Sequence, residues 1–243
     1  MSEAVIAERK GDVYAITLNQ PESGNALSDP AIVQLGDLLT AVDSAVRLIT
    51  IQGAGADFCV GRAPPPPGAP RKAMEALKLQ RAHDVVFRVY GLMRGARAPV
   101  VAKVRGRALG FGFALAAVAD VTIAADDATF QIPEFAHHIM PTMVASAMID
   151  RVPLKAMMYR IYSTEPFSAV EALQMGAVSA VTRPATLDQE VDKFVQRLLA
   201  APTPALLAVK DFAQNAQAID INKAVQYARA LHAVTNTSSE MRR

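Results

Sequence analysis

Two glycine-centred segments, Gly53-Ala54-Gly55-Ala56-Asp57-Phe58-Cys59-Val60-Gly61 and Gly106-Arg107-Ala108-Leu109-Gly110-Phe111-Gly112, each follow a β-rich run. Glycine admits positive φ and lets a backbone come close to a ligand, exposing N–H groups that can bind negative charge. The same spacing serves tight strand-to-helix turns, so spacing alone leaves both uses open. Gly110-x-Gly112 lacks the third glycine of a dinucleotide fingerprint and the Gly-Lys-Ser/Thr ending of a P-loop, so neither nucleotide motif is met. Cys59 has no histidine at a nearby motif position and reads as a small buried hydrophobe rather than a nucleophile. Asp120 sits in apolar sequence and must be paired or hydrogen-bonded. His83, on an expected helix, reads as structural. No His/Cys cluster has metal-ligand spacing, and no metal is expected. Arg71, Lys72, Lys78 and Lys210 are cations that could meet phosphate, although a solvated face is the default for such residues.

These segments need a scaffold of alternating strands and helices, the pattern of a parallel sheet with crossover helices. Strands are expected at 13–19, 48–52, 100–104 and 121–125, with helices at 32–45, about 72–93 and 113–119. Residues 106–112 read as a glycine-punctuated turn. Pro64, Pro65, Pro66 and Pro67, with Gly68 and Pro70, form a break that suits neither helix nor central strand, and a mobile surface loop is expected there. Near residue 142 the pattern becomes helical, at 144–149, 153–162, 169–175, 187–199, 204–217 and 220–235, and the polar stretch 237–243 is expected to fray.

Composition excludes several classes. The chain has 243 residues, enough for one large domain or one with a small appendage, and 25 Lys+Arg against 23 Asp+Glu leave a charge of only +2. With 51% apolar residues this excludes disorder. A single cysteine gives no internal disulfide and fits a reducing compartment. Glu3, Glu8, Arg9, Lys10 and Asp12 are incompatible with a signal peptide, so a cytoplasmic location is expected. The apolar run 108–125 is broken by Asp120 and reads as buried strand and helix, with no membrane partner. Without tryptophan or a basic stripe interleaved with aromatics, nucleic acid is not an expected partner either.

Taken in order, the motifs resemble the crotonase family, the enoyl-CoA hydratase/isomerase superfamily. The resemblance runs through Asn25-Ala26-Leu27, Gly53-x-Gly55-x-Asp57-Phe58-Cys59-Val60-Gly61, Pro99-Val100-Val101-Ala102 and Gly106-x-Ala108-Leu109-Gly110-x-Gly112. It continues through Ala119-Asp120-x-x-Ile123-Ala124, Ala128-x-Phe130, Pro133-Glu134, Pro141 and Phe167-Ser168-Ala169-x-Glu171-Ala172-Leu173-x-x-Gly176. It implies a ClpP/crotonase-like α/β fold, with a ββα spiral core over 1–185 and a helical C-terminal region over 186–243 that builds trimer contacts. A homotrimer or dimer of trimers follows from the same resemblance.

The resemblance also implies a thioester carbonyl held by the backbone N–H groups of Arg62 and Phe111, which follow Gly61 and Gly110, with Glu134 as general base. The CoA part of the substrate would lie near Ala26, Leu27, Asp57, Phe58 and Gly61, and no separate cofactor is implied. Hydratases of this family carry two glutamates, and the position of the first is Ala114 here. One carboxylate favours proton transfer between carbons, as in enoyl-CoA isomerisation, over hydration. Hydration, C–C or thioester hydrolysis, and CoA-thioester binding without turnover are the alternatives. His138 replaces a glycine common in this loop, and on a helix its ring would reach back to Glu134 and tune it. Thr142 stands where some dienoyl isomerases and aryl dehalogenases carry aspartate, which disfavours those reactions. Phe111, Phe113, Phe135 and Met140 are candidate acyl-pocket residues.

Overall fold

The computed structural model describes residues 3–64 and 75–242; most of the proline-rich break, Arg71 and Lys72 lie outside them. The strands are β1 (Val5–Lys10), β2 (Val13–Leu18), β3 (Leu48–Gly53), β4 (Val100–Val104), β5 (Arg107–Leu109), β6 (Val121–Ala125), β7 (Thr129–Gln131), β8 (Phe167–Ser168) and β9 (Ala180–Thr182). The helices are α1 (Asp29–Thr40), α2 (Ala76–Ala82), α3 (Asp84–Gly95), α4 (Phe111–Val118), α5 (Thr142–Met148), α6 (Leu154–Ser163), α7 (Ala169–Gln174), α8 (Leu187–Ala200), α9 (Thr203–Ala216) and α10 (Ile221–Thr237).

A six-stranded sheet runs β1-β2-β3-β4-β6-β9, and a three-stranded sheet runs β5-β7-β8. Only the β1–β2 pair of the large sheet is antiparallel. The chain therefore alternates between the two sheets: β4 leads to β5 and then α4, and β6 leads to β7 and then the loop before α5. This is the α/β spiral, with a helical C-terminal region, that the resemblance implies. β4 and β6 are almost wholly buried, as strands covered on both faces must be, and so read as continuous apolar runs.

Local chemistry sets the helix limits. Ser28 caps α1 by accepting a hydrogen bond from the Ala31 amide (3.4 Å), with Pro30 in the first turn. Ser168 and Glu171 form a capping box that starts α7 immediately after β8, which accounts for the Phe167-Ser168-Ala169-x-Glu171 motif. Glu171 also pairs with Arg160 (2.8 Å), and these hydrogen bonds pull its carboxyl down to about 2.

Several expectations are corrected. β1 had no signal, because only Val5 of this edge strand is fully buried and no apolar alternation is left. The helix expected over 72–93 is two helices meeting at His83, and the glycine-rich 106–112 contains β5 instead of being all turn. The C-terminal stretch closes in a 3-10 turn, Ser239–Arg242.

Lys210, expected as a candidate for phosphate, is buried. Its Nζ donates to Asp120 Oδ2 (2.7 Å) and to the Ala98 (3.1 Å) and Met93 (3.2 Å) carbonyls, while Asp120 Oδ2 also accepts from the Val100 amide (2.7 Å). Asp120 is thus paired, as its apolar setting requires. Burial lowers the lysine pKa while Asp120 acts to raise it. Replacing Lys210 by Ala leaves two carbonyls without their donor and the partly buried Asp120 with only the Val100 amide and Arg151 (3.9 Å), and is expected to cost about 1–3 kcal/mol in urea unfolding; a loss under about 0.5 kcal/mol would show that the pair does not anchor α9.

Candidate active site

The site is built from backbone before side chains. After β3 the chain folds back as a strap, residues 54–61, lying across β5. Buried Asn25 holds the near end: its Nδ2 donates to the Ala54 and Asp57 carbonyls (both 2.8 Å) and its Oδ1 accepts from the Gln20 amide (2.8 Å). Asp57 Oδ1 accepts from the Arg107 amide (2.9 Å) and Nε (3.0 Å), and this guanidinium holds the Asp57 carboxyl below its ordinary range. The Cys59 amide donates to the Arg107 carbonyl (3.1 Å) and the Leu109 amide to the Cys59 carbonyl (2.9 Å). No side chain could stand between these backbones, since a Cβ on Gly106 would lie 2.1 Å from the Ala56 oxygen and one on Gly112 2.0 Å from the Cys59 oxygen.

This packing aims two amides. Leu27 donates to the Gly61 carbonyl (3.0 Å) and Ala63 donates to the Leu27 carbonyl (2.8 Å), so the Arg62 N–H between them points away from Leu27. On the other segment the Gly110 amide donates to Gln131 O (2.9 Å), Gly110 turns at φ 51° and ψ −115°, and Phe111 opens α4 with the first of its unsatisfied N–H groups. Among the described residues, neither the Arg62 nor the Phe111 amide donates to another protein group.

Glu134 follows β7 at the start of a 3-10 turn, Glu134–His137. Its Oε1 lies against Gly110, where an added Cβ would be 2.6 Å away, and its Oε2 is buried without a hydrogen-bond partner among the described residues. Burial pushes the Glu134 pKa up, more than its own backbone amide and the charge of His137 pull it down. Glu134, Arg62, Gly61, Gly110 and Phe111 line one cleft of about 370 Å³ together with His137, Tyr90, Val86, Ile139, Met143 and Val144.

Other expected residues are elsewhere. Leu27 and Phe58 are fully buried in the core, Ala26 is half-buried, and Asp57 is engaged by Arg107. His138 is exposed and outside the cleft lining: the segment is a 3-10 turn instead of an α-helix, and His138 takes its left-handed cap (φ 59°), so the expected reach back to Glu134 is corrected. His137 is the histidine at the cleft. Of the acyl-pocket candidates only Phe111 lines it; Phe113 packs edge-on to Phe130 and Phe167, Phe135 packs against Tyr162, and Met140 is 71% exposed. Ala114 is wholly buried in α4. Cys59 is buried and its thiol is pushed up to about 12, which leaves it inert. Tyr90, missed in the sequence, has only one weak signal there: a polar aromatic on the apolar face of a helix, beside Val86 and Met93.

The sequence matches the enoyl-CoA hydratase/isomerase family model over residues 8–243. It is 32% identical over 226 residues to the crotonyl-CoA hydratase of Syntrophomonas wolfei, covering 92% of this chain and 86% of that protein. It is 27% identical over 233 residues to the carnitinyl-CoA dehydratase of Escherichia coli K12, covering 95% and 87%. The structure superposes on the enoyl-CoA hydratase of Mycobacterium smegmatis with a TM-score of 0.90 at 25% identity, covering 98% and 93%. It superposes on a Thermobifida fusca structure solved in complex with CoA with a TM-score of 0.86 at 26% identity, covering 96% and 92%.

Because its folded pKa is raised, Glu134 favours the fold while protonated, and this contribution is lost as pH rises from the unfolded carboxylate pKa through the folded one. Glu134→Gln is therefore expected to be more stable than wild type at neutral pH by about 1 kcal/mol, or ~2–4 °C in Tm, with the difference disappearing in acid. Thermal unfolding across pH checks this, and a variant equally stable at every pH would contradict it.

Proposed function

The chain belongs to the enoyl-CoA hydratase/isomerase (crotonase) family of acyl-CoA enzymes, and on that premise we propose that it works through an enolate held by two backbone amides, with Glu134 moving the proton. The observation that carries this is the convergence, on one cleft, of two uncommitted N–H groups and one desolvated carboxylate. The thioester oxygen accepts from the Arg62 and Phe111 amides. As a proton leaves the α-carbon, charge accumulates on that oxygen, and fixed donors in a dry site stabilise it by about 2.7–4 kcal/mol each. Burial raises the basicity of Glu134 towards the working pH, so the proton it accepts can also be returned.

With Ala114 where a second carboxylate would stand, the simplest outcome is migration of a double bond: a proton leaves C2 of a 3-enoyl thioester and returns at C4. Hydration is the second reading, favoured by the names of the hydratase and dehydratase relatives. CoA is bound as part of the substrate. Since the Leu27 and Phe58 side chains are in the core, contacts of this stretch with CoA would come from backbone and from Ala26. Exposed Val209, Ile221, Val225 and Val234 on α9 and α10 support a homotrimer or dimer of trimers.

Proton–deuterium exchange at the α- and γ-carbons of 2-enoyl and 3-enoyl thioesters in D2O tests the reading. Glu134→Gln is expected to lower exchange by roughly 10²–10⁴-fold at unchanged CoA affinity; no exchange by wild type despite CoA binding would support a hydrolase or a binding protein instead. Gly110→Ala pushes a Cβ against Glu134 Oε1 at a strained φ, and a loss of about 10²-fold in exchange with CoA still bound is expected. Unaltered exchange in that variant would show that the position of Glu134 against Gly110 is immaterial.

A further inference from the structure

Hydration needs something to hold the water oxygen as well as a base to take its proton, and the cleft offers one candidate. Of its polar side chains, Glu134 is the base, Arg62 is engaged with Asp29 (2.6 Å), and His137 is exposed. The remaining one is Tyr90. It projects from α3 into a wall otherwise built of Val86, Ile139, Met143 and Val144. Its ring stacks on Phe111, with centroids 5.8 Å apart and planes at 26°, so its place is set by the residue whose amide faces the thioester oxygen. Phe111 in turn follows Gly110, against which Glu134 Oε1 lies. Tyr90 and Glu134 are therefore positioned by the same turn.

The Tyr90 hydroxyl makes no hydrogen bond to a described residue, although the residue is 2% exposed. The hydroxyl is not among the fully enclosed polar atoms that lack a partner, so it reaches the open space of the cleft, where a ligand can accept its hydrogen bond. Burial, and then the charge of Glu134 and the thiol of Cys59, push its pKa well up, against the weaker opposite pull of Arg62 and Arg94. It stays a neutral donor at any working pH.

We propose that Tyr90 replaces the missing second carboxylate, its hydroxyl donating a hydrogen bond to the oxygen at the β-carbon of the substrate and thereby enabling hydration as well as proton transfer. This rests on the enolate reading above. The water oxygen bonds to Cβ of the 2-enoyl thioester and its proton passes to Glu134. The C2–C3 π pair moves to form the enolate, whose oxygen the two amides hold. Glu134 then gives the proton to Cα, restoring the carbonyl, so that one water has been added. Tyr90 keeps its own proton throughout, and in the reverse direction its hydrogen bond steadies the departing hydroxide. The substrates implied are a 2-enoyl thioester and its 3-hydroxyacyl counterpart.

The test is Tyr90→Phe, which removes one oxygen and keeps the stacked ring. Hydration of a 2-enoyl thioester is measured beside α-proton exchange in D2O, with CoA affinity and Tm as controls. A fall in hydration of about 10–100-fold, with exchange within about threefold of wild type, is expected. Should Tyr90→Phe not fold, Tyr90→Trp keeps an aromatic wall with its donor displaced, and the same separation of the two rates is expected. Equal falls in both rates, or no change in either, would overturn the proposal. A wild type that exchanges without hydrating would also overturn it and leave the enolate reading standing, whereas a wild type that does neither would remove the enolate reading itself.

Discussion

Everything at the cleft depends on two stretches of backbone touching without side chains between them. Gly53, Gly106 and Gly112 each occupy a point where a Cβ would fall within about 2 Å of a carbonyl oxygen of the 54–61 strap. Hydrogen bonds of Cys59 and Leu109 lock this contact, and buried Asn25 and the Asp57–Arg107 pair hold its ends. Because the two amides that face the cleft, those of Arg62 and Phe111, directly follow the two stretches, their separation is set by covalent geometry and ladder spacing. Side chains at 62 and 111 can vary without moving the donors, which explains how Arg62 and Phe111 are accommodated. Preorganisation of this kind is what makes backbone donors effective, since no dipole must reorient as charge develops.

Glu134 shows the opposite economy. One of its oxygens is buried without a partner, a poor arrangement for stability and a useful one for a base. The core around it is built so that this cost is local. Phe113, Phe130 and Phe167 form a closed aromatic cluster beneath the small sheet, and α4 is buried along its whole length. The Glu134 carboxylate lies in the cleft beside this packed core. Tyr90 and Phe111 extend that packing into the wall of the cleft.

The C-terminal helices support the same geometry from outside. Lys210 ties α9 to Asp120, which follows α4 and also holds the first amide of β4. Arg47 donates to the Leu199 and Ala201 carbonyls at the end of α8, joining that helix to the start of β3. Polar residues that look like surface cations in the sequence thus brace the strands leading to both glycine segments.

Much of this was legible in the sequence. Strands 100–104 and 121–125 are unbroken apolar runs because parallel strands covered on both faces must be, and the structure places β4 and β6 at those residues. The order of glycine motifs carried the fold, since close backbone contact admits only glycine. β1 was invisible because an exposed edge strand needs no apolar alternation, and the break at His83 because Leu77 and Leu79 of α2 look in the sequence like a continuation of α3, although no residue of α2 is buried. The exposure of His138, the burial of Lys210 and of the Phe58 side chain, and the arrival of Tyr90 in the cleft were decided by tertiary structure alone. Residue type and spacing record what the backbone can do locally, such as turn at Gly110 or pack against Gly112. Which side chains meet across the molecule depends on contacts far apart along the chain, and these exist only once the sheets and helices have packed.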